Sequence, residues 1–390
     1  MKNIELLAPV GDLSRLKYAV KYGADAVYLG GRFGLRASAA MDNECLKEAV
    51  SYSHLHGKKI YVTVNFFARN YDFSEIEIYI KWLQEIGVDA VIVSDLGVLR
   101  MVKEKTSLEV HISTQANVLN KFTAEEYVKL GVRRIILARE CSLAEIKEIA
   151  DHLKNQCEIE VFVHGAMCVS YSGRCLLSSY MTKREANRGE CAQSCRYNYT
   201  LVEEYRPAEH WKIEEDRRGT YIMNSKDLCL INHLDELINC GVTSFKIEGR
   251  MKSDYYVAAT VNTYRQVLDG KKFNFQNEID KIPHRPWTTG FLLQENDHLI
   301  TEHSNQVSTF EITGICLGGK KILQRNTFCA GDELEILSPG NNHNKTFIVK
   351  SIKDEQGQNV TKANKASFIY YIEYDGPELE PDEFLRKRIG

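Results

Sequence analysis

No apolar run in this 390-residue chain approaches the roughly 18 residues of a membrane-spanning helix. The start, MKNIELLAPVGD, shows no separate charged, apolar and cleavage regions, which argues against a secretory signal and sets the expectation of a cytoplasmic protein. A basic field is also missing: the net charge is -3, so any nucleic-acid partner must be met by local patches. Neither a His-Glu-x-x-His zinc motif nor a Gly-x-Ser-x-Gly nucleophile elbow occurs, which removes two common hydrolytic mechanisms. The eleven cysteines include no C-x2-C knuckle, and a cytosolic chain of this size does not need a disulfide framework.

What is present, with 44% hydrophobic residues, is enough for a substantial core. Short β-rich runs alternate with helical patterns from the start. The spacing predicts strands at Ile4–Ala8, Ala26–Leu29, Ile60–Val64, Ala90–Val93, Glu109–Ile112, Arg134–Leu137, Ile159–Val163 and Ser244–Ile247. Helices are expected at Leu13–Tyr22, Asn43–His56, from Ser74 to Ile86, Leu96–Lys105, Thr123–Leu130, from a Ser142 cap to Leu153, Leu230–Asn239 and Asp254–Leu268. Eight strands alternating with eight helices over about 270 residues predict an α/β fold, a (β/α)8 TIM-like barrel. The connection after the seventh strand, 165–229, is far longer than the rest. The organisation expected is a barrel over 1–270, a linker over 271–305 with Pro283 and Pro286, and a small all-β barrel or sandwich over 306–390 without catalytic residues of its own.

In such a barrel the residues just past each strand's C-terminus line the active site. That ring contains Arg32, Asn65, Gln115, Arg139, His164, Glu248 and Arg250. Three arginines aimed at one mouth fit a carboxylate or phosphate ligand, because the guanidinium fork pairs bidentately with such groups. The plain alternative is rim ion pairing with neighbouring glutamates. Glu248 and His164 are the acid-base candidates, each with a structural alternative: a partner for Arg250 and a packed strand-end histidine.

The long connection gathers Cys168, Cys175, Cys191 and Cys195 between positions 168 and 195, with Cys229 at its end. The spacing C-x6-C followed by C-x3-C suits an iron-sulfur cluster, with a structural zinc as the alternative. No thiol stands apart with an obvious histidine partner as a nucleophile would. Cys45, Cys141, Cys157, Cys240, Cys316 and Cys329 are scattered and read as core or incidental.

The stretch from Glu160 through GAMC at 165–168 to GRCLLS at 173–178 resembles the signature of the collagenase-like peptidases, family 32 of the peptidases of unknown catalytic type. LLAPVGD at 6–12, ADAVYLGG at 24–31, NRGECAQSCR at 187–196, FKIEGRMKS at 245–253 and TTGF at 288–291 are similar to the same family, so the resemblance spans nearly the whole chain. It implies oxygen-independent hydroxylation, of tRNA wobble uridine, ribosomal RNA cytidine or ubiquinone precursors, with an iron-sulfur cluster, expected to be 4Fe-4S, and prephenate as co-substrate. Carried over by position, the cluster ligands would be Cys168, Cys175, Cys191 and Cys229, with Cys195 as the alternative fourth thiol. The branch implied is formation of 5-hydroxyuridine in tRNA, with tRNA and a small dicarboxylate as partners, no membrane, and a paired homologue or a second copy as a further partner. A peptidase and a zinc-stabilised RNA-binding scaffold are the alternative functions.

Overall fold

The computed structural model describes residues 4–35, 40–168, 170–171, 174–196, 214–216, 219–221, 225–293 and 306–389. Eight parallel strands run in chain order around a closed sheet: β1 (Glu5–Val10), β2 (Ala26–Gly30), β3 (Lys59–Val64), β4 (Ala90–Val93), β5 (Glu109–Ile112), β6 (Arg134–Ile136), β7 (Glu158–Ala166) and β8 (Ser244–Ile247). β8 pairs with both β7 and β1, which closes the ring and confirms the TIM-like barrel. β2 and β4 are buried at every position, as strands covered on both faces must be.

The helices between them start where their caps dictate. Asp42 accepts the Cys45 N–H and Asp95 the Val98 N–H, while Ser142 and Glu145 form a reciprocal capping box, each cap worth about 1 kcal/mol. Ser74 is not a cap: the helix Phe73–Glu85 begins one residue earlier, after a 3-10 turn at Asn70–Asp72 in which Asp72 accepts the Arg69 N–H at 2.7 Å.

In its described residues the connection after β7 carries regular structure. It contains a helix at Leu177–Thr182, 3-10 turns at Ala186–Arg188 and Ser194–Arg196, and a strand at Asp227–Cys229 that runs antiparallel to the end of β7. A three-residue strand carries too little alternation to be read from sequence. It is pinned by tertiary contacts: Trp287–Thr288 pairs with it, and buried Asp227 accepts Arg285 Nη2 at 2.6 Å and the Arg285 N–H at 3.0 Å. Burial pushes the Asp227 carboxyl up, but the Arg285 charge and hydrogen bonds hold it below its ordinary value.

The compact units divide differently from the boundary expected at 270. One comprises Met1–Val20, Ala24–Lys252 and Arg285–Gln306; the other comprises Lys21–Gly23, Ser253–His284 and Val307–Gly390. The helix Asp254–Leu268 therefore belongs to the second unit, and the residues after Arg285 are part of the first rather than a linker. The cause is burial on every side: Tyr255 through Tyr264 is one continuous buried run, and the Tyr255 hydroxyl donates to Lys281 O at 3.1 Å.

The second unit is built on a closed antiparallel sheet of six strands, in the order Glu333–Leu337, Phe384–Arg388, Phe310–Cys316, Lys321–Gln324, Ile369–Tyr374, Thr346–Lys353 and back to the first. Its core includes Phe328, Leu334, Ile336, Val349, Ile372 and Leu385. An ionic cluster is buried with it. Arg386 Nη2 lies 2.9 Å from Glu278, Arg386 Nε 2.7 Å from Glu335, and Lys281 Nζ 2.7 Å from Glu335. Burial alone would raise the Glu278 carboxyl, but Arg386 and Lys281 bring it down to about 2. Burial takes His343 down to about 4.

Both groups therefore have folded values below their ordinary ones, 4.5 for Glu278 and 6.5 for His343, so the unfolded chain binds the extra protons. This contribution to stability is complete above about pH 6.5 and is lost on acidification, first through His343 and then, below about 4.5, through Glu278. Urea unfolding of the full chain followed by circular dichroism should show an acid-destabilised transition whose lower segment flattens in Glu278→Gln. A pH-independent transition would refute this account.

Candidate functional site

The C-terminal ends of the barrel strands surround a cavity of about 180 Å³. Asn65 comes from the end of β3, Ser113 and Gln115 from β5, Arg139 from β6, and Glu248 and Arg250 from β8, all lining this one space. Cys168, Cys175 and Cys191 line it from the connection after β7. Asn65 is a hub: its amide donates to Gln115 Oε1 at 2.9 Å and Ser113 Oγ at 3.2 Å, and its carbonyl accepts the Leu35 N–H at 3.0 Å. Ser113 also donates to Gln115, so the ends of β3 and β5 share a hydrogen-bonded rim with the loop after β2.

The arginines are held rather than loose. Arg139 lays its guanidinium 4.1 Å from the centroid of the Phe162 ring, donates to Ala166 O at 2.8 Å and lies 3.8 Å from Glu248. Arg250 is buried, donating to Leu35 O and, at 3.4 Å, to Thr63 Oγ1. Gly165 lets β7 approach β8 here: its φ is +110°, and a Cβ would fall 2.5 Å from Glu248 O. The β7–β8 register slips between Lys246 and Ile247 at the same point, a bulge beside the cavity.

Two further lining residues come from within strands. The Tyr28 hydroxyl lies 3.0 Å from Ile247 O and 3.1 Å from Glu248 Oε2, and burial, reinforced by the Glu248 charge, pushes its phenol well above the ordinary value. Lys246 Nζ donates to Glu160 at 2.8 Å and sits 4.2 Å from the Tyr28 ring centroid; burial lowers its ammonium, with Glu160 opposing the shift. Glu160, fully buried, also takes Arg134 at 3.0 Å, and Arg134 reaches on to Glu5 at 2.5 Å and Glu158 at 2.7 Å. The cavity thus carries Arg139, Arg250 and Lys246 against one lining carboxylate, Glu248, an excess of positive charge suited to an anionic ligand.

Reading only the residues past the strand ends missed Tyr28, Lys246 and Phe162. The available signal was the lysine inside SFKI at 244–247, a charge within a strand that a parallel barrel must bury. Two ring residues stand elsewhere. Arg32 is exposed, 64% for its side chain, and paired with Glu75 of the helix Phe73–Glu85, with its guanidinium 5.4 Å from the Phe33 ring; these partners draw it away from the cavity lining. His164 is buried outside the lining, 5.1 Å from the Trp287 ring, at a point where β7 is still paired with β8 at Ile247 and also pairs antiparallel with Asp227–Cys229. Cys229 lies opposite His164 in that pairing, and Cys195 sits in the turn Ser194–Arg196; neither lines the cavity.

For a thiolate-held cluster the donor set fits in kind, since three soft ligands open onto one cavity. Among the described residues, no group of three or more His, Cys, Asp or Glu side chains is gathered closely enough to hold a metal ion. The shared cavity, and not an assembled ligand cage, is what the fold supplies. Among the described residues no histidine lines it, and so no Ser-His or Cys-His pair of described residues is arranged there. Among the described residues no helix is long and apolar enough to cross a membrane.

The family model for "Peptidase family U32" matches residues 11–302, and that for "Peptidase family U32 C-terminal domain" matches residues 310–386. The chain is 38% identical over 410 aligned residues to "tRNA hydroxylation protein P1" of Bacillus subtilis, covering 99% of this chain and 95% of that protein. It is 42% identical over 308 residues to an "Uncharacterized protease" of Methanocaldococcus jannaschii, covering 76% of this chain and 74% of the other. With a 23S rRNA 5-hydroxycytidine synthase of Escherichia coli it shares 39% identity over 270 residues, 68% of this chain and 39% of that enzyme.

Proposed function

The chain belongs to peptidase family U32, and from that membership we propose that it is an RNA-modifying hydroxylase, acting on tRNA to convert wobble uridine to 5-hydroxyuridine without molecular oxygen. The observation that carries the reading is the match to a tRNA hydroxylation protein along 99% of this chain and 95% of the relative. The site is consistent with it. Arg139 and Arg250 would bind the carboxylates of a small dianion, for which prephenate is the candidate, and Lys246 lies within the same lining. Glu248, hydrogen-bonded to Tyr28, would hold or move a proton, in a space that the segment after β7 also lines.

Cys168, Cys175 and Cys191 would hold an iron-sulfur cluster, with Cys229 or Cys195 as the fourth thiol. Bound there, the cluster would supply redox or Lewis-acid chemistry at the mouth of the cavity. The peptidase reading is weaker, because among the described residues the lining offers no nucleophile paired with a histidine base.

Mass spectrometry of nucleosides from a deletion strain tests the proposal. The hydroxylated uridine should vanish from tRNA, leave ribosomal RNA unchanged, and return with the wild-type gene. Arg139→Ala should restore about a tenth or less, as expected when a charged hydrogen-bond donor worth roughly 1.5–3 kcal/mol is removed. An unaltered tRNA nucleoside profile would overturn the proposal. Loss of ribosomal hydroxycytidine instead would keep RNA hydroxylation and change the substrate.

A further inference from the structure

A second depression, about 540 Å³, lies beside the cavity. One wall is the loop after β3, with Phe67 and Arg69; the other is the cysteine segment, with Arg174, Leu176, Asn187 and Arg188. Asn187 lines both spaces, so the groove leads to the cavity mouth. The walls are tied together: the Phe67 N–H donates to Asn187 O at 3.1 Å, and Arg188 bonds Phe67 O and Asp72, each at 2.8 Å. Arg188 is therefore a strut, and Arg69 is engaged by Glu185 at 3.2 Å.

Arg174 differs from both. It is exposed, its guanidinium is 5.7 Å from the Phe67 ring centroid, and no carboxylate among the described residues forms an ion pair with it. The same segment exposes apolar side chains: Tyr171, Leu176, Met181 and, at 87%, Tyr180. Of these Leu176 lines the groove, and with the Phe67 ring and a guanidinium that no described carboxylate pairs it offers a surface for unstacked bases with a cation for the backbone. Duplex RNA keeps its bases stacked inside the helix and cannot use such a surface.

Resting on the RNA reading above, we propose that this groove seats the single-stranded RNA flanking the nucleotide whose base enters the cavity, with Arg174 on a backbone phosphate and Phe67 and Leu176 against neighbouring bases. A base that enters an enclosed cavity has to leave its stack, so its neighbours must lie unstacked at the mouth. The groove meets the cavity at Asn187, where those neighbours would lie.

The test is fluorescence anisotropy with a labelled RNA hairpin carrying a uridine-containing single-stranded loop, titrated with full-length protein purified without oxygen. Arg174→Ala should weaken binding by about tenfold and reduce the slope of log affinity against log salt by about 0.7, the loss of one single-strand phosphate contact. Arg174→Lys should keep the salt slope. Arg100→Ala, which removes an exposed charge that does not line the groove, should leave the affinity unchanged. Thermal melts by circular dichroism should coincide for all these variants, since both arginines are exposed.

If wild-type protein binds the hairpin but Arg174→Ala matches it in affinity and salt slope, the groove assignment falls and the RNA reading stands. If wild-type protein binds no RNA and the deletion strain keeps its hydroxylated nucleosides, both fall. Equal binding of a blunt duplex, or displacement of the hairpin by a denatured collagen peptide, would also overturn the proposal.

Discussion

If the proposed cluster is present, wild-type protein purified without oxygen should be coloured and contain iron and acid-labile sulfide, and Cys175→Ala should be colourless and lack nearly all of both. Cys175 lines the cavity with Cys168 and Cys191, and its sulfur accepts the Leu177 N–H at 3.4 Å, which orients it at the start of the helix Leu177–Thr182. An iron-sulfur cluster depends on all its thiolates, so losing one ligand from the cavity should empty the site. Cys240→Ala is the matched control: Cys240 lies 3.8 Å from Leu143 O, outside the cavity lining, and its removal should leave the iron content unchanged. Cys229→Ala and Cys195→Ala, compared side by side, identify the fourth ligand. Wild-type protein with stoichiometric zinc and no iron, or Cys175→Ala with full iron, would end the iron-sulfur proposal.

The second large effect is on stability. Glu160→Ala should destabilise the barrel by about 3–5 kcal/mol, because it leaves two buried cations facing each other without their shared anion. Glu160 is fully buried, 2.8 Å from Lys246 Nζ and 3.0 Å from Arg134 Nη1. Lys246→Met should cost much less, since Glu160 then still pairs with Arg134 and the new side chain is apolar. Arg134 is further tied to Glu5, which burial would raise but which the Arg134 charge and hydrogen bond bring below its ordinary value. Urea unfolding by circular dichroism compares the two variants. A loss under about 1 kcal/mol for Glu160→Ala would mean that water reaches the pair and that the charges are not truly buried.

Much of this molecule was legible before folding. The bounds of β4, β5, β8 and the helix Asp254–Leu268 coincide with those expected, because each is a strand-like or helical run between clear breaks. Ser142 was recognisable as a cap from its type and its spacing to Glu145. The strand-end ring found Asn65, Gln115, Arg139, Glu248 and Arg250 because a barrel's parallel strands all point their C-terminal ends to one face. Arg32 obeyed the same spacing and still failed to join them, since Glu75 on a following helix competes for its charge.

By itself, then, the sequence determined the alternation of strands and helices, the barrel, the all-β character of the C-terminal region and the set of thiols, all of which follow from local periodicity and residue type. Only the tertiary structure decided which of those residues meet. Closure of the barrel joins Arg134 to Glu5 across 129 residues and brings Lys246 and Tyr28 into the cavity lining, and no local pattern encodes contacts at that separation. The fold-back of Asp227–Cys229 onto the end of β7 likewise places Cys229 opposite His164 while Cys168, Cys175 and Cys191 open onto the cavity. That sorting arises from a three-residue pairing and one buried Asp227–Arg285 ion pair, whose partners are distant in the chain.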